Sequence, residues 1–114
     1  MLIIWEQKMS KETRSVDYQE SLISRLKKSE EEQLYYLKAA LEDNWDEPQA
    51  FLLALKNIAD ARGFSAFAEN AGLSRESLYR TLSENGNPKL DTVFKMLHAM
   101  GMKLTVEPLE QKVS

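Results

Sequence analysis

The stretch AENAGLSRESLYRTL, residues 68–82, constrains the fold more than any other part of the chain. Two short helical patterns meet at Gly72, a residue that tolerates the positive φ of a tight turn. Ala68 is small where the backbones of two crossing helices would approach most closely, and apolar residues follow at positions that can lock the crossing angle. The pattern predicts a helix-turn-helix whose structural residues are Phe67, Ala68, Ala71, Gly72, Leu73, Leu78 and Leu82.

The second helix of this unit carries polar side chains on the side away from its core residue Leu78. With about 100° between successive residues, Glu76, Tyr79 and Arg80 point away from Leu78. Such a helix enters the major groove, where arginine can bind guanine, glutamate can accept a hydrogen bond from cytosine, and an aromatic ring can contact a thymine methyl group. Neighbouring polar residues suit contacts with phosphates. The predicted DNA-binding residues are Ser74, Arg75, Glu76, Ser77, Tyr79, Arg80, Asn87 and Lys89.

Helical periodicity continues on the amino-terminal side of this unit. Apolar residues recur at helical spacing within residues 18–26, which predicts a first helix. Ser29 and Glu32 match a capping box, so a second helix is expected over about residues 30–42. The acidic residues of its first turn are explained by the positive end of the helix dipole, and they need no ligand.

Capping residues predict the remaining helices. Asp46, Ser65 and Ser74 each stand where a helix can begin, and Gly63 and Gly101 stand where one can end. The expected helices cover residues 47–62, 65–70, 74–84 and 90–100. On the last of them, the residues expected to face the core are Val93, Phe94 and Leu97.

Apolar and polar residues alternate from Met102 to Glu107, which is typical of a β-strand. A lone strand cannot satisfy its own edges, and its simplest partner is the same strand of a second subunit. This pattern therefore predicts a homodimer formed through the carboxyl-terminal strand.

Charge limits the kind of nucleic-acid surface that this chain can present. The formal net charge is −3 among 114 residues. Residues 1–46 contain 7 basic and 10 acidic side chains, whereas residues 56–103 contain 7 basic and 5 acidic side chains. A DNA-facing surface must therefore be a local patch, because the protein as a whole is acidic.

The residues give little support for catalysis or for cofactor binding. His98 is the only histidine, there is no cysteine, and no glycine-rich phosphate loop or calcium-binding loop occurs. The sequence predicts a protein that is not an enzyme and that has no cofactor and no metal site. No apolar run approaches the roughly 20 residues of a membrane span, so a cytoplasmic protein without a membrane role is expected.

Four segments in order, YLKAALED, ALKNIADARG, AENAGLSRESLYRTLSENGNP and LDTVFKMLHAMGMKL, resemble the small addiction-module antidote proteins. The resemblance covers about residues 18–106. It implies an all-α fold of five to six helices with a lambda-repressor-like helix-turn-helix. The alternation after Gly101 predicts a short carboxyl-terminal β-strand in addition. The resemblance also implies an antitoxin that dimerises, binds double-stranded operator DNA, represses its own operon and neutralises a RelE/ParE-type toxin.

The expected organisation has four parts. Residues 1–17 form an amino-terminal extension that is expected to be flexible, and residues 18–46 form a helical segment. Residues 47–107 form the DNA-binding domain with its strand, and residues 108–114 form a tail. The alternative is a helical protein–protein interaction module in which the helix-turn-helix is only core architecture and its polar face is solvated.

Overall fold

The computed structural model describes residues 17–109, and every regular element in that range is an α-helix. The predictions for residues 1–16 and 110–114 lie outside the described residues. Among residues 17–109, no helix is long and apolar enough to cross a membrane. The helices are α1 (residues 17–26 of the described range), α2 (Glu30–Asp43), α3 (Pro48–Arg62), α4 (Phe64–Ala71), α5 (Arg75–Thr81) and α6 (Leu90–Ala99).

Helix α3 is the centre of the domain. It packs against α2 on one side and against α4 on the other, and α4 in turn packs against α5 and α6. Apolar residues recur along α3 at intervals of three and four, so one broad face is buried. The core around it includes Leu22, Leu26, Leu37, Leu52, Leu55, Ile58, Phe67, Leu78, Leu82, Met96 and Leu97.

The start of α2 agrees with only half of the predicted capping box. The Ser29 hydroxyl oxygen accepts a hydrogen bond from the Glu32 backbone N–H at 3.1 Å, as expected of an N-cap. The Glu32 side chain does not complete the reciprocal contact, and it forms an ion pair with Arg25 at 3.7 Å. Glu32 therefore pairs with a cation on α1, and the second half of the box is not formed.

Two of the predicted caps are wrong. Asp46 does not cap α3, because the N-cap position is Glu47, which makes no side-chain cap bond, and Pro48 begins the helix. Ser65 does not cap α4, because the chain turns at Gly63 with φ of 94° and the next helix begins at once. Gly63 thus ends one helix and precedes the next without an intervening loop.

The carboxyl-terminal predictions need three corrections. Helix α5 stops at Thr81, and the Ser83 hydroxyl donates a hydrogen bond to the Arg80 carbonyl at 2.9 Å, which competes with further helix. Phe94 is 44% exposed, and Met96 occupies the buried face of α6 instead, since periodicity does not fix which edge of an apolar stripe meets the core. The β-strand predicted after Gly101 is absent from the described residues, because one extended segment in a single chain has no second strand to pair with.

Arg62 and Gln33 join the ends of four helices. The Arg62 guanidinium donates hydrogen bonds to the Gln33 side-chain oxygen at 2.8 Å and to the carbonyls of Ala99 and Met100 at 3.2 and 3.3 Å. The Gln33 amide donates to the Leu26 carbonyl at 2.9 Å. Carbonyl groups at the ends of α1 and α6, which lack partners inside their helices, are satisfied in this way. The domain is therefore held together by polar bonds as well as by its apolar core.

Asn57 forms a second polar connection in the interior. Its side-chain N–H donates to the Tyr36 hydroxyl at 2.8 Å. Its side-chain oxygen accepts from the side-chain amide of Gln19 at 2.7 Å. Burial raises the pKa of the Tyr36 hydroxyl above its ordinary value, and the Asn57 hydrogen bond opposes this in part. These bonds fix α1 and α2 on the outer side of α3.

We expect Arg62→Ala to lower the free energy of unfolding by about 2 to 3 kcal/mol, because it leaves a buried amide oxygen and two helix-end carbonyls without their charged donor. Urea unfolding measures this difference. The matched control is Lys56→Ala on the same helix, where the ion pair with Asp60 is only partly buried and its loss costs about 0.5 kcal/mol. Equal effects of the two substitutions would contradict the role given to Arg62.

Candidate nucleic-acid interface

The connection between α4 and α5 is a tight three-residue turn, residues 72–74. Gly72 adopts a left-handed conformation with φ of 73°, and the Leu73 backbone N–H donates to the Ala68 carbonyl at 2.9 Å. This hydrogen bond is typical of a Schellman motif, in which a glycine ends a helix. Ser74 then caps α5, because its hydroxyl oxygen accepts from the Ser77 backbone N–H at 3.0 Å. Local hydrogen bonds therefore define both sides of the turn.

The residues expected to lock the helix-turn-helix lie on its inner side. Phe67, Ala68 and Ala71 of α4 are buried. Leu78 and Leu82 are buried on the other side of the turn, and Leu73 is partly buried against the same core. The crossing of α4 and α5 is thus set by apolar packing that continues into the core of the domain.

The eight residues expected to bind DNA lie on or next to the outer side of α5. Seven of them are exposed, and Ser77 is partly buried. Arg75, Glu76, Tyr79 and Arg80 belong to the helix itself, whereas Asn87 and Lys89 lie on the loop that leads to α6. The structure therefore places these predicted residues on the exposed side of α5 and in the segments that precede and follow it.

An aromatic stack holds the outer face of α5. The rings of Phe64 and Tyr79 are stacked with centroids 4.4 Å apart and an interplanar angle of 24°. The Arg75 guanidinium carbon lies 5.5 Å from the centre of the Tyr79 ring, within the range of a cation–π contact. Tyr79 remains 48% exposed. Tyr79 is thus packed against α4 and does not project freely from the helix.

Phe64 is a residue that the sequence analysis missed. The spacing of Arg75 and Tyr79, four residues apart on a helix, is visible in the sequence and indicates that they are neighbours. No comparable signal indicates Phe64, because its contact with Tyr79 depends on how α4 and α5 cross. Only the structure places Phe64 at the first position of α4 with its ring against that of Tyr79.

The loop between α5 and α6 is held in place by Gly86. This glycine is buried, and its backbone N–H donates to the Ser83 carbonyl at 2.9 Å. A Cβ atom added at Gly86 would overlap the Thr81 carbonyl oxygen and lie 2.7 Å from the Thr81 carbonyl carbon. Only glycine fits here, and the position of the loop carrying Asn87 and Lys89 depends on that fit.

The charges of this region are mixed. Between residues 74 and 89, the basic residues Arg75, Arg80 and Lys89 outnumber the acidic residues Glu76 and Glu84. Within residues 17–109, no three histidine, aspartate or glutamate side chains converge to hold a metal ion. The region offers guanidinium, hydroxyl, amide and ammonium donors, which suit phosphate and base-edge recognition.

Comparisons with known proteins identify related sequences. A family model described as "probable addiction module antidote protein" matches residues 16–108. A relative from Haemophilus influenzae, described as an uncharacterized protein, is 39% identical over 99 residues, which cover 87% of this chain and 95% of the relative. No solved structure matches this chain.

We expect substitutions of Gly72 and of Gly86 to destabilise the protein for different reasons. Gly72→Ala should lower the free energy of unfolding by about 1 to 2 kcal/mol because of its positive φ alone, and Gly72→Asn should cost less because asparagine tolerates that conformation. Gly86→Ala and Gly86→Asn should both be damaging, at about 3 kcal/mol or more, because the Thr81 backbone cannot move aside. Urea unfolding of the four variants tests this expectation, and a Gly86→Ala variant as stable as the parent would refute it.

Proposed function

The chain belongs to the probable addiction module antidote protein family, and from that premise we propose that it is a sequence-specific DNA-binding antitoxin. In this proposal it binds operator DNA as a homodimer and represses its own operon. It also neutralises a RelE/ParE-type toxin. Membership of an antidote family implies a toxin partner in general; the DNA, the toxin type and the dimer are the parts that we propose.

The observation that carries the DNA-binding proposal is the exposed polar face of α5 on a firmly packed helix-turn-helix. A recognition helix must present its side chains without moving, and the Gly72 turn, the Ser74 cap and the buried Leu78 together provide that rigidity. Arg75 and Arg80 are exposed on this helix and can each form two hydrogen bonds with a guanine edge.

The stacked position of Tyr79 changes the role that we assign to it. Its ring has one face against Phe64, so its main contribution is to orient Arg75 through the cation–π contact. Its hydroxyl group can still donate to a phosphate. Base recognition then rests mainly on Arg75, Glu76 and Arg80, while Ser74, Ser77, Asn87 and Lys89 position the backbone.

A homodimer explains how a small and acidic protein can bind DNA specifically. Two copies related by a two-fold axis place two α5 helices in successive major grooves, with half-sites about 34 to 36 Å apart. The extended and exposed segment after α6 is the contact surface that we propose between the two copies.

The acidic side chains of α1 and α2 are the surface that we propose for the toxin. Glu20, Glu31, Glu42 and Asp43 are exposed there. Helix α2 does not contact α5, so a partner bound to α2 would leave the DNA-binding face free. Complementary charge would accelerate association with a basic partner.

Fluorescence anisotropy with the chain's own upstream duplex and a scrambled duplex, at two salt concentrations, tests DNA binding. We expect tighter, salt-dependent binding to the upstream duplex. Arg80→Ala should reduce the preference between the duplexes by about 1 to 3 kcal/mol, whereas Lys89→Ala should weaken both alike and lower the salt slope by about 1.

Lys38→Ala is the matched control for these variants, because it removes one exposed positive charge from α2, away from α5. It should leave both affinities nearly unchanged. Equal or absent binding of the two duplexes by the parent protein would instead support the alternative, a protein-interaction module without a DNA role.

The toxin proposal is tested by co-expression with the product of the neighbouring gene. We expect relief of toxicity and co-purification of the two proteins. The triple variant Glu31→Lys, Glu42→Lys, Asp43→Lys should slow association by about tenfold or more at low salt. The pair Glu69→Lys, Glu84→Lys, on other elements, is the control. Unrelieved toxicity together with failed co-purification would contradict this part of the proposal.

A further inference from the structure

The segment after α6 leaves the domain in a direction set by a turn at Gly101, and its following residues are exposed. Gly101 has φ of 77°, and the Met102 backbone N–H donates to the Leu97 carbonyl at 2.8 Å, so the chain turns sharply at the end of α6. Within the described range, residues 103–109 form no backbone-to-backbone hydrogen bond. Leu104 is 43% exposed and Val106 is 91% exposed. A row of unpaired backbone groups and exposed apolar side chains is typical of an edge that awaits a partner strand.

The side chains of this segment are arranged symmetrically about Thr105. Lys103 and Glu107 stand two residues on either side of it, with Leu104 and Val106 between them. In an extended chain, four residues span about 14 Å, so Lys103 and Glu107 of one copy cannot reach each other. Opposite charges at equal distances from one residue are complementary to a second copy of the same strand that runs in the opposite direction.

We propose that two copies of this chain pair their residues 102–108 as antiparallel strands, with Thr105 facing Thr105 of the partner subunit. Lys103 then lies opposite Glu107 of the partner subunit, and this pair occurs twice because of the two-fold axis. Leu104 lies opposite Val106 of the partner subunit on the other face. The inference rests on the proposed homodimer and specifies its register.

Other registers are less favourable for physical reasons. A shift that centres the axis on Lys103 or on Glu107 places like charges opposite each other, and parallel pairing does the same along the whole strand. A slip of one strand by one residue relative to the other places charged side chains opposite apolar ones, because it reverses which face of that strand meets the apolar face of its partner. Among antiparallel pairings, the axis at Thr105 alone matches both charge pairs and both apolar pairs.

Helix α6 adds apolar surface beside this segment. Leu90 is 61% exposed and Phe94 is 44% exposed, and they lie one helical turn apart. The chain passes directly from α6 into the extended segment, so Phe94 lies within two helical turns of the start of that segment. A second copy is an occupant that matches the charges as well as the apolar residues.

A single introduced cysteine tests the register, because the native chain has none. Directly opposed residues of antiparallel strands have Cα atoms about 4.5 to 5.5 Å apart, which is within the range of a disulfide. Thr105→Cys in the full chain should therefore give a disulfide-linked dimer under mild oxidation. Glu107→Cys is the control on the same face. In the proposed register the two introduced cysteines at this position are about 14 Å apart along the strands.

Charge exchange supplies an independent measurement. Lys103→Glu and Glu107→Lys should each weaken the dimer by about tenfold at low salt in sedimentation equilibrium, because each creates like-charge pairs. The double variant carrying both substitutions should restore the parent dissociation constant.

The outcomes separate the register from the proposed function. A dimer in which Thr105→Cys and Glu107→Cys cross-link equally, or in which the double variant is not restored, overturns the register while dimerisation stands. A chain that stays monomeric at all concentrations and still binds operator DNA overturns the inference and the dimer, but not DNA binding. Absence of operator binding by the parent protein in the anisotropy assay would contradict the proposed function and not the register.

Discussion

The Arg62 guanidinium ties the ends of separate helices to one another, and the arrangement of the domain depends on it. Its bonds to Gln33 and to the carbonyls of Ala99 and Met100 join α3 to α2 and to the end of α6, and Gln33 extends the connection to α1. Apolar packing alone has little directional preference, whereas these bonds require particular distances and angles. They attach the end of α6, and with it the start of the following extended segment, to α3.

The helix-turn-helix is held by a different set of forces. The turn between α4 and α5 is defined locally by Gly72 and Ser74, and its outer face is stiffened by the stack of Phe64 on Tyr79. Because α4 packs against α3, α5 and α6, a shift of α4 would disturb its packing against all three helices. These contacts hold α5 in place, and rigidity is what the proposed base recognition requires.

Acidic and basic side chains are distributed unevenly along the chain. This distribution fits the two proposed partners, a basic toxin and acidic DNA. The acidic side chains concentrate on α1 and α2, whereas the region from α3 to α6 is close to neutral and has exposed arginines on α5. An acidic protein repels DNA at long range, so the proposed DNA binding relies on a small patch and on the proposed pairing of two copies. In the proposed complex, a basic toxin would cover the acidic helices and reduce that repulsion.

Features that depend on neighbours in the sequence were predictable. The existence of the helices, the Ser29 and Ser74 caps and the all-α class followed from apolar spacing and from residues within one turn of each other. The resemblance to an antidote family was also visible in the sequence, and the family match over residues 16–108 confirms it.

Features that depend on residues far apart in the chain were decided by the tertiary structure. Phe94 was expected inside and is 44% exposed, because the core selects one edge of the apolar stripe on α6. The burial of Gln33 and the stack of Phe64 on Tyr79 require contacts across 29 and 15 positions, which periodicity does not encode. The sequence by itself determined the helices and the polar face of α5, because those depend on local spacing. Only the tertiary structure decided which polar groups are buried and which apolar side chains remain exposed, because burial depends on how the helices pack.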